Sequence, residues 1–360
     1  MFVVQVCPLY YPCIGGIETH VKEISERLVS QKIQVEVLTT DPSGKLPKEE
    51  IINGVRVKRF VSYAPGGNYH YSTSLKKYLA RNSESYDIVH IHSYHDFPAI
   101  HVAQIKKVKK LVFTPHYHGG GHTLFTSLCH YPYRVIGQKI FDKADKVICV
   151  SKYERGLVLR HFKGVNEKIV VIPNGINLQE FTKQRKRDKD EQIVLYVGRL
   201  EKYKGIQYLI KILPMLNNNI FLEIVGKGAY KENLIRLAKS LHVNSRIKFF
   251  EDLPRQQLLE KYAAADLFVL LSTREAYSIC VAEALASEIP CLVANSSALK
   301  EWIDNQNCFG IDYPINLLAL QVLVGKVMSK EIRCPHIWDW SEVVEKLLIT
   351  YQSVLHSQDH

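Results

Sequence analysis

The chain has 360 residues, of which 46% are hydrophobic and 23% are charged, and these values exclude a disordered or low-complexity protein. A chain of this length usually divides into two domains, because a single hydrophobic core stops growing at about 250 to 300 residues. The formal net charge of +11 favours anionic partners, and charge alone leaves open nucleotide phosphates, lipid phosphates, an acidic membrane surface or nucleic acid.

Hydropathy and cysteine usage indicate the compartment. No apolar run approaches the roughly 20 residues of a membrane span, and no basic leader precedes the short apolar start, which reads as a first strand. The eight cysteines form no C-x-x-C pair, and several lie in apolar segments, such as Cys7, Cys149 and Cys280. Free buried thiols are typical of a reducing compartment, so we expect a cytoplasmic protein.

The first half alternates short apolar segments with helical ones, which predicts a parallel, doubly wound sheet. After the first strand, Gly15 and Gly16 precede an amphipathic helix. A glycine pair here lets the backbone approach a ligand at the strand's carboxyl end, although an ordinary tight turn has the same sequence. The predicted strands cover residues 3–7, 34–39, 55–61, 88–92, 111–114, 146–150 and 169–172.

Three histidines, His116, His118 and His122, follow the strand that ends at Thr114. Glycines separate them, and no flanking cysteine or carboxylate completes a ligand set, so no metal site is expected. The alternative for His116 is a loop histidine bonded to the backbone.

An aromatic segment and a lysine group follow one another in this half and suit contact with a membrane that carries a lipid acceptor. A packed helix and a solvated lysine face explain them equally well. The residues are Lys106, Lys107, Lys109, Lys110, Leu124, Phe125, Leu128, Tyr131 and Tyr133.

A charged run over residues 183–191 predicts a solvated boundary between the two halves. It contains a D-x-D triplet, Asp188 to Asp190. We do not expect this triplet to bind a metal, since it lies in a polar linker and not at the end of a strand.

The second half repeats the alternation, and cations follow its first strand. The strand at residues 193–197 leads to Gly198, Arg199, Lys204 and Gly205. Two fixed cations at a strand's carboxyl end, beside a glycine, can neutralise a diphosphate, whereas each alone would be a surface charge.

The stretch at residues 266–292 predicts a buried strand, a loop with Glu275, a helix with Glu283, and a further strand. Free N–H groups at the helix start favour a phosphate. Two carboxylates would repel a bare anion, so they fit better as acceptors for the hydroxyls of a sugar nucleotide. For either glutamate alone, a solvated surface residue is the alternative.

This stretch resembles the E-x7-E signature of retaining GT-B-type glycosyltransferases of family 4, and the resemblance continues in order along nearly the whole chain. It implies an α/β protein of GT-B architecture, with two Rossmann-like domains whose parallel sheets face across a cleft. The predicted domains are residues 1–180 for the acceptor, completed by a C-terminal helix at 341–357 with Ser341 as N-cap, and residues 181–340 for the nucleotide sugar.

The resemblance also implies roles for residues of the first half. Gly15 and Gly16 would face the donor phosphates, and Glu18 would lie on the acceptor side. His116 would lie on the sugar-binding side and belong to the catalytic set.

In the second half the resemblance implies a donor site. Arg199 and Lys204 would clamp the diphosphate, Glu275 would bind the sugar hydroxyls, and Glu283 the ribose hydroxyls. The backbone near Phe250 would meet the base. The N–H groups of Ile279 and Cys280 would bind a phosphate. The implied catalytic residues are His116, Arg199, Lys204 and Glu275.

The chain departs from the family pattern where glycine is usual. Ala276, Tyr277 and Ser278 stand where Gly-Phe-Gly is common, Glu288 replaces a further glycine, and Glu251 or Asp252 stands at another such position. Asn177 replaces a usual aspartate. These departures leave the base and the sugar open.

The implied reaction is metal-independent, retaining transfer of a hexose-type sugar from a nucleoside-diphosphate sugar to a glycan or polyprenyl-linked acceptor. A peripheral contact with the inner face of the cell membrane is part of this expectation. One alternative is a GT-B nucleotide-sugar epimerase or hydrolase. Another is a non-catalytic nucleotide-sugar or nucleic-acid-binding protein, although no nucleic-acid motif is present.

Overall fold

A computed structural model describes residues 1–65, 69–119, 124–181 and 191–357, with the backbone alone described at 124–132. Two compact units make up the chain. The first comprises Met1–Gly175 together with the segment from Trp340 onward, and the second comprises Ile176–Asp339. The chain therefore enters the second unit after Gly175, five residues before the boundary predicted at residue 180.

The first unit contains an eight-stranded sheet in the order β3-β4-β2-β1-β5-β6-β7-β8. All described pairs are parallel except β3 with β4. The strands β5 and β6 are buried over their whole length, and this burial includes the polar residues His90, His92 and Thr114. The strands are β1 Phe2–Val6, β2 Gln34–Asp41, β3 Glu49–Ile52, β4 Val55–Val61, β5 Ile88–His92, β6 Leu111–Thr114, β7 Lys146–Cys149 and β8 Ile169–Val171.

The edge strand β3 is absent from the sequence-based prediction. Its residues are half-buried or exposed, so they carry no apolar signal. Asn53 and Gly54 connect β3 to β4 with φ of 47° and 83°. Both angles are positive, as a tight hairpin turn requires, and the Asn-Gly pair was the available signal.

The second unit contains a six-stranded parallel sheet in the order β11-β10-β9-β12-β13-β14. The strands β12 and β13 are fully buried, so this sheet is the centre of the unit's core. Its strands are β9 Gln192–Val197, β10 Ile220–Val225, β11 Ile247–Phe250, β12 Leu267–Leu270, β13 Cys291–Ala294 and β14 Cys308–Ile311.

Helices connect the strands in both units. None of the helices in the described ranges is long and apolar enough to cross a membrane. The helices are α1 Gly16–Ser30, α2 Thr73–Asn82, α3 Phe97–Ala103, α4 Leu124–Lys143, α5 Lys152–His161, α6 Ile206–Ile212, α7 Lys231–Ser240, α8 Arg255–Ala264, α9 Ile279–Ala286, α10 Leu317–Met328 and α11 Trp340–His356.

The C-terminal helix α11 belongs to the first unit and packs against α1. Its Tyr351 is fully buried, and the hydroxyl group contacts Gln5 Nε2 at 3.1 Å and His90 Nδ1 at 2.7 Å. The prediction of Ser341 as N-cap is wrong, because the helix begins at Trp340 and Ser341 lies in its first turn.

Candidate functional site

Lys204 and Glu275 form an ion pair in the second unit. Lys204 Nζ lies 2.6 Å from Glu275 Oε1, and both side chains are about seven-eighths buried, with relative exposures of 12% and 13%. Burial alone would lower the pKa of Lys204, but the Glu275 carboxylate and its neighbours raise it above its ordinary value. Lys204 is therefore a permanent cation beside the start of α9.

The backbone around this pair needs a glycine. Gly205 has a φ of 80°, and a Cβ atom there would lie 2.3 Å from the carbonyl oxygen of Leu271. The loop after β9 thus lies directly against the end of β12, and Thr273 N–H donates to the carbonyl of Tyr203. On the other side, Glu275 N–H donates to Ser297 Oγ at 3.1 Å. Both members of the pair are held by backbone contacts.

Glu283 is also placed in the second unit, but it has different partners from Glu275. Arg255 Nη1 donates to Glu283 Oε1 at 2.5 Å, and the Tyr262 hydroxyl donates to Oε2 at 2.9 Å. Arg255 additionally donates to Glu180. Burial raises the pKa of Glu283, and the Arg255 guanidinium opposes that rise. Arg255 thus helps keep a buried carboxylate ionised and oriented.

The helix α9 begins beside these groups. Its N-cap is Ser278, and Ile279 and Cys280 are the first two helical residues. Their N–H groups occupy the positions that lack acceptors within the helix. Burial raises the pKa of the Cys280 thiol to about 12, so this side chain in the first turn of α9 is a neutral group.

Three positions where the resemblance expects glycine have kept the backbone that glycine favours. Asp252, Ser278 and Glu288 have φ of 48°, 89° and 57°. Glu288 follows α9, where its N–H donates to Leu285 and the next N–H donates to Ala284, a Schellman ending. These three residues therefore hold backbone conformations that a glycine adopts without strain.

The two other predicted donor residues lie at strand ends. Arg199 is exposed and donates to the Tyr203 hydroxyl at 3.1 Å. Phe250 ends β11, and Lys261 Nζ lies 3.8 Å from its ring centroid. Asp252, just beyond, pairs with Lys227 at 2.8 Å.

In the first unit, Gly15 is the N-cap of α1, and Gly16 is the first residue of the helix. A Cβ atom at Gly15 would lie 2.3 Å from Glu18 Oε2, whereas one at Gly16 would meet nothing within 4 Å. Glu18 therefore folds back over the helix start, and Gly15 provides the space for it.

His116 is 9% exposed and has a φ of 48°. Its ring contacts those of His20 and His92, with centroid distances of 5.1 Å and 6.0 Å. Burial lowers the pKa of His20 to about 4 and holds the pKa of the other two rings well below the usual value. Sequence analysis predicted His116 in a sugar site but missed its two partners.

Some predicted residues lie outside the described part of the chain. These include His122, the Asp188–Asp190 triplet, most of the charged linker, and the side chains of Leu124, Phe125, Leu128 and Tyr131. Lys107 and Lys109 of the basic group pair with Glu84 and Asp87 at 3.1 Å and 3.7 Å, which reduces the positive charge available there.

Sequence reasoning also missed Arg255, Tyr262 and Ser297. Arg255 and Tyr262 lie one and a half to two turns apart on α8 and face Glu283. Neither falls at a strand end or in a glycine turn, so no local pattern marks them.

Comparison with known proteins identifies the family. The Glycosyltransferase Family 4 model matches residues 14–180, and the Glycosyl transferases group 1 model matches residues 178–321. An uncharacterised glycosyltransferase of Methanocaldococcus jannaschii is 29% identical over 342 residues, which covers 88% of this chain and 86% of that protein.

Solved structures share the fold. Sucrose-phosphate synthase from Thermosynechococcus elongatus matches with a TM-score of 0.84 and 18% identity, over 99% of this chain and 100% of that one. HepE of Anabaena in complex with UDP-glucose matches with a TM-score of 0.79 and 16% identity, over 98% and 100%. The chain belongs to the group 1 glycosyltransferases of GT-B type.

Proposed function

We propose that this glycosyltransferase moves a hexose from a nucleoside-diphosphate sugar to a glycan or polyprenyl-linked acceptor, with retention of anomeric configuration. The observation that carries the proposal is the buried Lys204–Glu275 pair beside the N-terminus of α9. It brings a fixed cation from the loop after β9 and a hydroxyl-binding carboxylate from the loop after β12 together beside the N–H groups that begin α9. HepE, a protein of the same fold, has been solved with UDP-glucose, which supports a donor of this class.

The first chemical requirement is stabilisation of the leaving group. As the bond between the anomeric carbon and the diphosphate oxygen breaks, negative charge grows on that oxygen. Lys204 and Arg199 supply cations, and the first N–H groups of α9 supply donors. Preorganised donors of this kind typically contribute 10²–10³ in rate each, so the proposal requires no metal ion at the diphosphate.

The second requirement is transfer to the same face of the sugar. The acceptor hydroxyl attacks the anomeric carbon from the side that the diphosphate leaves. A new carbon–oxygen bond forms to the acceptor, and the hydroxyl proton passes to a diphosphate oxygen. In this proposal Glu275 binds sugar hydroxyls. In the first unit, Gly15 and Gly16 face the donor phosphates, His116 lies on the sugar-binding side, and Glu18 lies on the acceptor side.

The nucleotide is assigned to the second unit. Glu283 accepts hydrogen bonds from the ribose hydroxyls, since its carboxylate has further acceptor capacity beyond Arg255 and Tyr262. The backbone beside Phe250 meets the base.

A turnover assay tests the reaction class. The chain is incubated with UDP-glucose, UDP-N-acetylglucosamine, GDP-mannose or ADP-glucose, with and without alkyl glycoside acceptors. Nucleoside-diphosphate release that depends on an acceptor, with an unchanged anomeric configuration by NMR, supports the proposal. Release in water alone indicates a hydrolase, and a changed sugar on intact donor indicates an epimerase.

The membrane contact is a separate part of the proposal. It rests on the lysine group at residues 106–110 and on the aromatic and apolar residues that the sequence places in α4. Sedimentation with vesicles of anionic lipid, compared with neutral lipid, measures it. If equal amounts of protein sedimented with both vesicle types, the proposed contact with an anionic membrane would be wrong.

A further inference from the structure

Three buried histidines of the first unit direct ring nitrogens toward one another. One nitrogen from each of His20, His92 and His116 lies within 4.8 Å of the corresponding atoms of the other two. The ring centroids are 5.1 Å, 5.4 Å and 6.0 Å apart. With metal–nitrogen distances of about 2.0 Å, three imidazoles around a tetrahedral zinc ion have centroids roughly 5 Å apart.

Hydrogen bonds determine which nitrogen of His92 carries the lone pair. Gln5 Nε2 donates to the Tyr351 hydroxyl, so Gln5 Oε1 is the amide atom that faces His92 Nε2 at 2.8 Å. An amide oxygen only accepts, and His92 Nε2 must therefore carry the proton. The lone pair is left on His92 Nδ1, which is buried and has no hydrogen-bond partner among the described residues.

His20 is held in the same way. Its Nδ1 lies 2.8 Å from Asn174 Oδ1, an amide oxygen that accepts the ring proton. The lone pair of His20 is therefore on Nε2. A carbonyl oxygen that accepts the far N–H of a histidine is the usual outer contact of a metal-binding imidazole, because it fixes the tautomer and orients the ring.

His116 completes the set. Its Nε2 is buried and has no hydrogen-bond partner within the part of the chain that the structure describes. His90 is packed against His92 with a centroid distance of 4.2 Å, but both of its nitrogens are engaged, by Tyr351 and Thr114. Of these four rings, His90 therefore has no nitrogen left for a metal ion, whereas His20, His92 and His116 each keep one nitrogen outside the described hydrogen bonds.

We propose that His20, His92 and His116 bind a divalent transition-metal ion of the zinc class, through His20 Nε2, His92 Nδ1 and His116 Nε2. His92 Nδ1 and His116 Nε2 are buried and have no hydrogen-bond partner among the described residues, and an ion bound between the three rings would give both atoms a partner. Neutral imidazole is the form that binds metal, and burial keeps these rings neutral. His116 and His20 are 9% and 4% exposed, so the cluster is not completely closed to solvent.

This site is independent of the diphosphate chemistry proposed above, which uses residues of the second unit. It changes the role of His116, because a ring that binds metal through Nε2 cannot also donate from that atom to a sugar. The ion is thus expected to inhibit transfer when it is added to the enzyme.

Metal binding to the full chain, freed of metal with EDTA and dialysed, tests the proposal directly. Co²⁺ titration followed by visible absorbance, and zinc content by elemental analysis, should give one ion per chain with the bands of a four-coordinate nitrogen site. The variants His20→Gln and His92→Gln should bind at least tenfold more weakly. Neither readout requires donor, acceptor or turnover, so failure here is distinct from failure of the transferase assignment.

Two further variants guard against a folding artefact. Asn174→Ala keeps all three ligands and removes one outer contact, and we expect a 10- to 100-fold loss of affinity. His101→Gln removes another buried histidine of the same unit, whose Nε2 also has no described partner, and it should bind metal like the wild type. Less than one tightly bound ion per wild-type chain, or binding unchanged in the folded His20→Gln and His92→Gln proteins, would overturn the proposal.

Discussion

Lys204 Nζ contacts Glu275 Oε1 at 2.6 Å, and this pair joins the loop after β9 to the loop after β12. The cation is the nearest described neighbour of Glu275 on one side, and Ser297 binds its backbone on the other. Loss of Lys204 therefore affects both charge at the diphosphate and the position of the sugar-binding carboxylate.

We predict that Lys204→Met lowers kcat by about 10² to 10³, the usual cost of removing one group that stabilises developing negative charge. It should also lower the Tm, since a buried carboxylate then lacks its partner. Steady-state kinetics and a thermal melt measure the two effects. Lys202→Ala, an exposed lysine two residues earlier, is the matched control. Equal kcat in both variants would contradict the role of Lys204.

Arg255 is expected to position the ribose-binding carboxylate. Because burial raises the pKa of Glu283 and Arg255 opposes that rise, Arg255→Gln should favour the protonated carboxyl. We predict about a tenfold weaker affinity for the nucleoside diphosphate, or about 1.4 kcal/mol, with the loss larger at pH 5.5 than at pH 8. Calorimetric titration at both pH values measures it, and Arg236→Gln on α7 serves as control. Tighter binding by Arg255→Gln would show instead that Arg255 obstructs the site.

The positive φ angles of Ser278 and Glu288 lead to a prediction about stability. A non-glycine residue in this region costs about 1 kcal/mol, so Ser278→Gly and Glu288→Gly should each stabilise the second unit by about that amount. Thermal melts should show a rise of about 2 to 4 °C for each. Gly205→Ala is the opposite case, because its Cβ would lie 2.3 Å from the Leu271 carbonyl oxygen, and it should destabilise. A lower Tm for both glycine variants would contradict this explanation.

A buried histidine outside the cluster predicts acid sensitivity. Burial lowers the pKa of His101 to about 4, with Lys76 lowering it further and Asp96 opposing. The unfolded chain binds a proton near pH 6.5, and the folded chain does not until about pH 4. The contribution of this residue is therefore complete above pH 6.5 and is lost as the pH falls toward 4.

Urea unfolding at pH 7.5, 6.0 and 5.0 measures this effect. The free energy of unfolding of the wild type should fall across the series, and that of His101→Gln should fall less. The free energy of unfolding of the variant should still fall with pH to some extent, because other buried histidines remain in it. If the free energy of unfolding fell equally with pH in the two proteins, His101 would not contribute to the acid sensitivity.

Apolar segments and glycine turns made most of the strands predictable. The buried strand β12 has a continuous apolar sequence, and β6 is apolar up to Thr114, so their positions follow from composition. In β5 the apolar residues are interrupted by His90 and His92. The edge strand β3 lacks such a pattern because its residues face solvent, and only the Asn53–Gly54 turn marks it.

The residues of the candidate sites also fall into predictable and unpredictable groups. Lys204 and Glu275 follow the strands β9 and β12, and sequence reasoning predicted both for one donor site; the structure shows the two side chains in contact. Arg255, Tyr262 and Asn174 act across more than 20 residues of chain separation on side chains placed elsewhere, and no local spacing encodes such contacts. His20 and His92 were missed for that reason, since α1 and β5 meet only in the folded unit.

The central claim is that the second unit binds a nucleoside-diphosphate sugar through Arg199 and Glu283. The most direct measurement is a thermal-shift panel of nucleoside diphosphates and nucleotide sugars in EDTA, on the wild type, Arg199→Ala and Glu283→Ala. A donor present at 100 times its Kd stabilises the fold by about 2.7 kcal/mol, so one matching nucleotide should raise the wild-type Tm and leave both variants nearly unchanged. No shift for any nucleotide, or the same shift in the variants, would contradict the account.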